Sequence, residues 1–211
     1  MNLPMTAIKQ PIILKNLGCV DFLETEYAMK QFTKKRSMEM ADEVWLLEHN
    51  PVYSTGIRQV SHPVLKDTKI PVVKTNRGGE MTYHGPGQLI AYFLLNIRKR
   101  RLGPKSLVYK LEEMIIEFLA SYKVSANRKE GAPGVYVDGS KIASLGLHTT
   151  TTYCYHGISI NINMDLRPFK HIEVCGIPNL EMTQLSELVG QVSIKDAMNK
   201  LENYILKFFS V

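Results

Sequence analysis

At 211 residues, with 45% hydrophobic and 22% charged side chains, the chain is long enough for one globular domain to bury roughly 70% of its unfolded surface without a covalent staple. No apolar stretch approaches the roughly 20 residues of a membrane span. The opening Met1-Asn2-Leu3-Pro4-Met5 lacks a secretory pattern, and three cysteines without C-x-x-C spacing argue against a disulfide framework and a structural zinc site. A cytoplasmic protein with no metal and no cofactor is expected, whose net charge of +6 suits an acidic partner or simply a solvated lysine face.

Residues 12–14 read as a short strand. Asp21 then opens a helix, with Glu24 three positions on as its capping partner. Leu23, Tyr27 and Met29 are its apolar positions, and Lys34, Lys35 and Arg36 suit its C-terminal end. Residues 44–47 and 52–54 read as strands broken by Asn50-Pro51, and residues 71–74 as a third that feeds a glycine-rich stretch. The apolar run at residues 89–97 reads as a buried strand, followed by the basic run Arg98-Lys99-Arg100-Arg101. Ser106 caps a helix with Leu107, Leu111, Met114, Ile115, Phe118 and Leu119 on one face. Residues 135–143 form a hairpin turning at Asp138-Gly139, which pairs Tyr136 with Lys141. Residues 155–163 alternate as a strand, and Ile194, Ala197, Leu201, Ile205 and Phe208 mark a C-terminal amphipathic helix. The expected fold class is α+β, a mixed, largely antiparallel sheet with flanking helices, spanning residues 1–211 as a single domain.

The chemistry concentrates in the stretch Arg77-Gly78-Gly79-Glu80-Met81-Thr82-Tyr83-His84-Gly85-Pro86-Gly87-Gln88. Glycines clustered at such density need a local reason, usually a backbone that bends sharply and approaches a ligand. Arg77 could anchor a polar group or organise the loop. His84 and His156 could each be a base, a hydrogen-bonding group or a structural residue, and neither has zinc-ligand spacing. Cys175 sits on a glycine- and proline-bearing turn where a thiol can be reached, though cysteine is more often a small buried hydrophobe. Cys19 and Cys154 read as structural. Lys141 follows the hairpin turn into an apolar stretch, and by local pattern alone it faces solvent at the hairpin tip.

The glycine-rich stretch closely resembles the signature of the octanoyltransferases, the lipoyl (octanoyl) acyl-carrier-protein:protein transferases of lipoate synthesis. The likeness continues through Ala132-Pro133-Gly134-Val135-Tyr136-Val137, Lys141-Ile142-Ala143-Ser144-Leu145-Gly146, His156-Gly157 with residues 161–169, and Cys175-Gly176. It implies a fold shared with lipoate and biotin protein ligases. It also implies an acyltransferase that moves octanoyl from octanoyl-acyl carrier protein, through a Cys175 thioester, to the lysine of a lipoyl domain. Lys141 would lower the Cys175 pKa and transfer protons. Arg77, Gly78, Gly79, Glu80, Met81, Thr82, Tyr83, His84, Ser144, Leu145, Gly146, Gly157, Ile158 and Ser159 would bind substrate. The partners implied are the acyl carrier protein as donor, with lipoyl domains of 2-oxoacid dehydrogenase complexes and the glycine cleavage H protein as acceptors. A monomer is expected, acting on no nucleic acid and no membrane. The family commonly has proline where Val174 stands and aspartate where Asn76 stands.

The nearest rival is an ATP-dependent lipoate or biotin ligase of the same fold, which needs no cysteine. An amidotransferase would differ only in the donor. A basic nucleic-acid-binding protein is the rival from another class, but no recognised motif supports it and no aromatic residues interleave with the basic run.

Overall fold

The computed structural model describes residues 12–58, 69–174, 177 and 180–210, so Cys175 and Gly176 and the opening of the chain lie outside the described residues. The larger of two sheets has six strands in the order β1 (Ile12–Val20), β2 (Asp42–His49), β6 (Gln88–Asn96), β9 (Tyr153–Asn161), β8 (Ser140–Thr149), β7 (Gly134–Val137). The first pair is parallel and the rest are antiparallel, which is the mixed sheet expected. A parallel pair needs a long crossover, and the helix α1 (Phe22–Lys35) supplies it. The smaller sheet has the order β4 (Val72–Lys74), β3 (Val52–Thr55), β5 (Thr82–His84).

Two long helices, α2 (Pro104–Ala120) and α4 (Ile194–Phe209), pack with one face of the large sheet in one apolar cluster. All six residues expected on the inner stripe of α2 are buried, each worth roughly 1.5–3 kcal/mol. Every residue of β6 is buried, which accounts for the unbroken apolar run at residues 89–95. A second cluster, Met29 with Trp45, Leu47, Ile90, Tyr92, Leu94 and Tyr155, lies between α1 and the opposite face. A third joins the small sheet to the 3₁₀ helix Arg167–His171 and to Val174, Leu180 and Met182. Among the described residues no helix is long and apolar enough to cross a membrane.

Several local expectations need correction. Leu23 and Tyr27 are 54% and 65% exposed, because α1 turns Phe22, Thr25, Glu26 and Met29 inward instead. Asp21 is the N-cap as expected, accepting from the Glu24 N–H. Ser106 is not the cap of α2. Gly103 holds that position with Pro104 after it, and the Ser106 hydroxyl accepts from the Gly103 N–H. In α4 it is Phe209, not Phe208, that is fully buried. Cys19 is exposed, whereas Cys154 is buried and its thiol is pushed up to about 12 by that burial.

The basic run is not one surface patch. Arg36 and Arg100 converge on the buried Asp42, at 2.6 and 2.5 Å, and the Asn96 N–H adds a third donor. Two like charges are held inside by one carboxylate, which ties the end of α1 to both β2 and β6. Arg98 follows the end of β6 opposite Gln88, roughly 30 Å along the strand from it.

Candidate active site

A cleft lies between the large sheet and the glycine-rich loop. Its floor exists because the paired strands β8 and β9 put small residues opposite each other, Ser144 with Ser159 and Gly146 with Gly157. Phe22 from α1 and Ile90 and Tyr92 from β6 wall it, and Arg77, Gly79, Met81, Thr82 and His84 cover it. The walls are mainly apolar, the usual surface for a hydrocarbon ligand.

The cover is fixed by Arg77. Its guanidinium donates to the Ser54 carbonyl at 2.6 Å and, through Nη2 and Nε, to the Ser54 hydroxyl at 2.9 and 3.2 Å. It also donates to the Gly78 carbonyl, and the Gly78 N–H reaches the Leu147 carbonyl of β8. Of its two expected uses, the structure shows loop organisation. Gly87 answers to packing, not to a ligand. It has φ +86, and a Cβ there would come 1.9 Å from the Asn163 carbonyl oxygen. The backbones simply cross there, with Asn163 N–H donating to the Gly87 carbonyl.

Three buried imidazoles, of which His84 and His156 line the cleft, share an aromatic cluster with Phe22 and Tyr92. His49 donates from Nδ1 to the Val20 carbonyl, so its Nε2 accepts the Tyr92 hydroxyl at 2.7 Å. The Ser54 hydroxyl, already accepting from Arg77, is free to donate to His84 Nε2 at 3.3 Å. His156 lies in the left-handed region at φ +61, which breaks strand alternation and brings its ring against Tyr92 and Tyr155. Its Nε2 is 3.3 Å from Asn76 Oδ1. Asn76 thus holds a place where the family's aspartate would carry charge, and its Nδ2 donates to Tyr155.

Burial pushes His49 down to about 4 and His84 to about 3, the latter also repelled by His49, and burial lowers His156. All three are neutral in the folded protein near pH 7. In the unfolded chain they take up protons below about 6.5, so the unfolded state binds more protons from there down to the folded values, and stability falls as pH falls. His49 and His84 should each cost about 2 kcal/mol by pH 5. Urea midpoints should be level from pH 8 to 7 and drop steeply by pH 5, and equal midpoints at pH 7 and 5 would contradict the neutral cluster.

Lys141 is fully buried, not at a solvated hairpin tip. The Asp138-Gly139 turn and the Tyr136–Lys141 pair form as expected. What the hairpin pattern did not reveal is that residues 181–183 lie beside Lys141 as an added parallel bridge. Lys141 N–H donates to the Glu181 carbonyl at 2.8 Å, and Thr183 N–H donates to the Lys141 carbonyl at 3.0 Å. Its ammonium donates to the Pro133 carbonyl at 2.9 Å and lies 5.5 Å from the Tyr136 ring centre. Val174, one peptide bond before Cys175, is buried and lines the cleft.

Most of the expected binding residues line the cleft. Gly78 does not, being tied to Leu147, and Tyr83 turns away to pack on Tyr53 and Phe169. Phe22, Ile90, Tyr92 and Val174 line it without having been singled out. Their apolar character was visible in sequence, but only the pairing of β6 with β9 and the docking of α1 put them there. Among the described residues no group of His, Cys, Asp or Glu is arranged to hold a metal ion.

The backbone is similar to that of the bi-partite lipoate protein ligase of Thermoplasma acidophilum, with a TM-score of 0.74 at 15% identity over 93% of this chain and 82% of that one. A biotin protein ligase from Aquifex aeolicus, in complex with biotin and ATP, gives 0.57 at 14% identity over 95% and 70%. At such identities the likeness concerns the fold. Sequence relatives are nearer. An octanoyltransferase of Legionella pneumophila is 46% identical over 94% of this chain and 100% of its own length, and one of Nitrosomonas eutropha is 48% identical over 88% and 82%. The lipoyl protein ligase A/B catalytic domain matches residues 23–206, and the chain belongs to that family, as an acyltransferase of its octanoyltransferase group.

Proposed function

We propose that this chain transfers an octanoyl group from octanoyl-acyl carrier protein to a lysine of lipoyl domains, through a thioester on Cys175. The acceptors would be lipoyl domains of 2-oxoacid dehydrogenase complexes and the glycine cleavage H protein. Two observations support this reading: Val174, the residue before Cys175 in sequence, lines the apolar cleft, and residues 181–183 pair with Lys141.

In the first half-reaction the Cys175 thiolate attacks the octanoyl thioester carbonyl. The C–S bond to the carrier's phosphopantetheine breaks, and the departing thiolate takes a proton from the Lys141 ammonium. An ammonium beside a thiol favours the thiolate before attack, which gives the pairing of these residue types a reason. Backbone N–H groups of the glycine loop or near Cys175 could stabilise the oxyanion. In the second half-reaction the acceptor lysine amine attacks the acyl-cysteine. Lys141 accepts its proton, the new amide forms and the cysteine is released. One thioester is exchanged for another and then for an amide, so no nucleotide is consumed.

The carrier is expected to be acidic by family resemblance, and the net charge of +6 suits it as long-range steering. The run Arg98-Lys99-Arg100-Arg101 is not its docking site in this reading, because Arg100 is spent on Asp42 and the run lies at the far end of β6 from the Lys141 side of the sheet.

The ligase reading has the fold in its favour, and the choice of donor separates the two. Octanoyl-carrier thioester without ATP should support transfer to a lipoyl domain, while free octanoate with ATP should give none. Transfer from free octanoate that depends on ATP would replace the proposed function with ligation.

A further inference from the structure

Gln88 and Asn161 have no part in the chemistry above, yet they are among the most buried polar side chains, each 1% exposed. They face each other as partners on β6 and β9. An apolar pair could fill that space without desolvating two amides. Each polar atom of the two amides is instead committed in a fixed direction. His84 Nδ1–H donates to Gln88 Oε1 at 2.7 Å, because its Nε2 is the acceptor from Ser54. Gln88 Nε2 donates to Asn161 Oδ1 at 3.0 Å and to the Tyr83 carbonyl at 3.3 Å. Asn161 Nδ2 donates to the Thr183 carbonyl at 2.9 Å. Thr183 N–H is the group that donates to the Lys141 carbonyl. Thr183 is therefore clamped on both sides of its backbone, by Asn161 and by Lys141. A continuous chain of hydrogen bonds runs from Arg77 over the cleft to the strand that carries Lys141.

We infer that Gln88 and Asn161 are positioning residues, which hold residues 181–183 against β8 and thereby keep Lys141 in register with the loop that covers the cleft. The inference rests on the reading of Lys141 as the proton-transfer group. Neither amide lines the cleft. Their removal should therefore leave donor binding alone and slow the step that needs Lys141 in place, since a small misplacement of a catalytic group can cost roughly 100-fold.

The test uses the full chain, octanoyl-acyl carrier protein and rapid-quench mass measurement of the octanoyl-enzyme. In Asn161→Leu the acylation rate constant at saturating donor should fall by roughly 100-fold, with the half-saturating donor concentration unchanged, while the lost buried bonds lower the thermal midpoint. Gln88→Met is read beside it in case the leucine variant folds poorly. It keeps the unbranched shape and removes the bonds to His84 and Asn161, and its rate constant should also fall. A wild-type rate constant in either folded variant overturns the inference, as does a loss that comes with a raised half-saturating donor concentration. If the wild-type chain itself forms no octanoyl-enzyme, the proposed function has failed, a result distinct from normal acylation in the variants.

Discussion

Lys141→Ala should slow octanoyl transfer by roughly 10²- to 10⁴-fold, the range for loss of a positioned acid–base group. Both half-reactions should suffer, because the same amine supplies a proton in the first and accepts one in the second. Lys141 is fully buried, so its truncation also leaves space. Lys141→Met fills that space with an unbranched chain and removes only the charge and the donors, and it should be as slow as the alanine variant while keeping more of the stability. Alkylation of the cysteine against pH reads the second half of the claim. Without the ammonium, the rise in alkylation rate should move to higher pH. A profile equal to wild type would reject the idea that Lys141 favours the thiolate.

Gly134→Ala should be nearly as damaging, though a glycine has no side chain to take part in the reaction. Gly134 has φ +149, and a Cβ there would lie 2.4 Å from Lys141 Cε, 2.8 Å from its Nζ and 2.9 Å from the Ala143 carbonyl oxygen. The side chain of Lys141 passes directly over this α-carbon. The Gly134 N–H is pinned by Glu112 Oε1 at 2.9 Å, which is itself held by Arg128 at 3.2 Å, so the backbone has little freedom to withdraw. The methyl group must push the amine aside, and the expected loss is roughly 100-fold in transfer rate. Backbone strain should add a destabilisation of about 1–3 kcal/mol, read from the denaturation midpoint. Full activity in Gly134→Ala would mean that the position of the Lys141 ammonium does not matter.

Much of the scaffold was legible because local signals agreed with the fold. The 3.6-residue stripe of α2, the unbroken apolar run of β6 and the Asp138-Gly139 turn each name their element without help from elsewhere. The misreadings occurred where tertiary contacts decide. Leu23 and Tyr27 look like core, but docking of α1 selects the Phe22–Met29 face. Arg36 looks like a helix-end cation and Arg100 like a surface charge, until Asp42 is seen between them. Lys141 looks like a hairpin-tip residue because the segment that covers it, residues 181–183, comes from far along the chain.

The site was legible in a different way. Glycine density pointed to the loop, but the reasons differ along it. Arg77 organises the loop, and Gly87 permits a backbone crossing. Strand alternation would have turned His156 away from the cleft that it lines. Its left-handed backbone reverses that, and no local pattern announces such a conformation. The expectation that Cys175 and Lys141 act as a pair rests on family resemblance, since spacing alone carries no information about their separation.

The central claim is that a fatty acyl group passes through the sulfur of Cys175, and the mass of the protein in mid-reaction tests it most directly. With octanoyl-acyl carrier protein and no acceptor, the wild-type chain should gain one octanoyl group, mapped to the peptide bearing Cys175. The adduct should vanish on addition of a lipoyl domain and should never form in Cys175→Ser. Rapid transfer by an enzyme that stays unmodified, or an octanoyl group found on another residue while Cys175→Ser keeps its activity, would contradict the account.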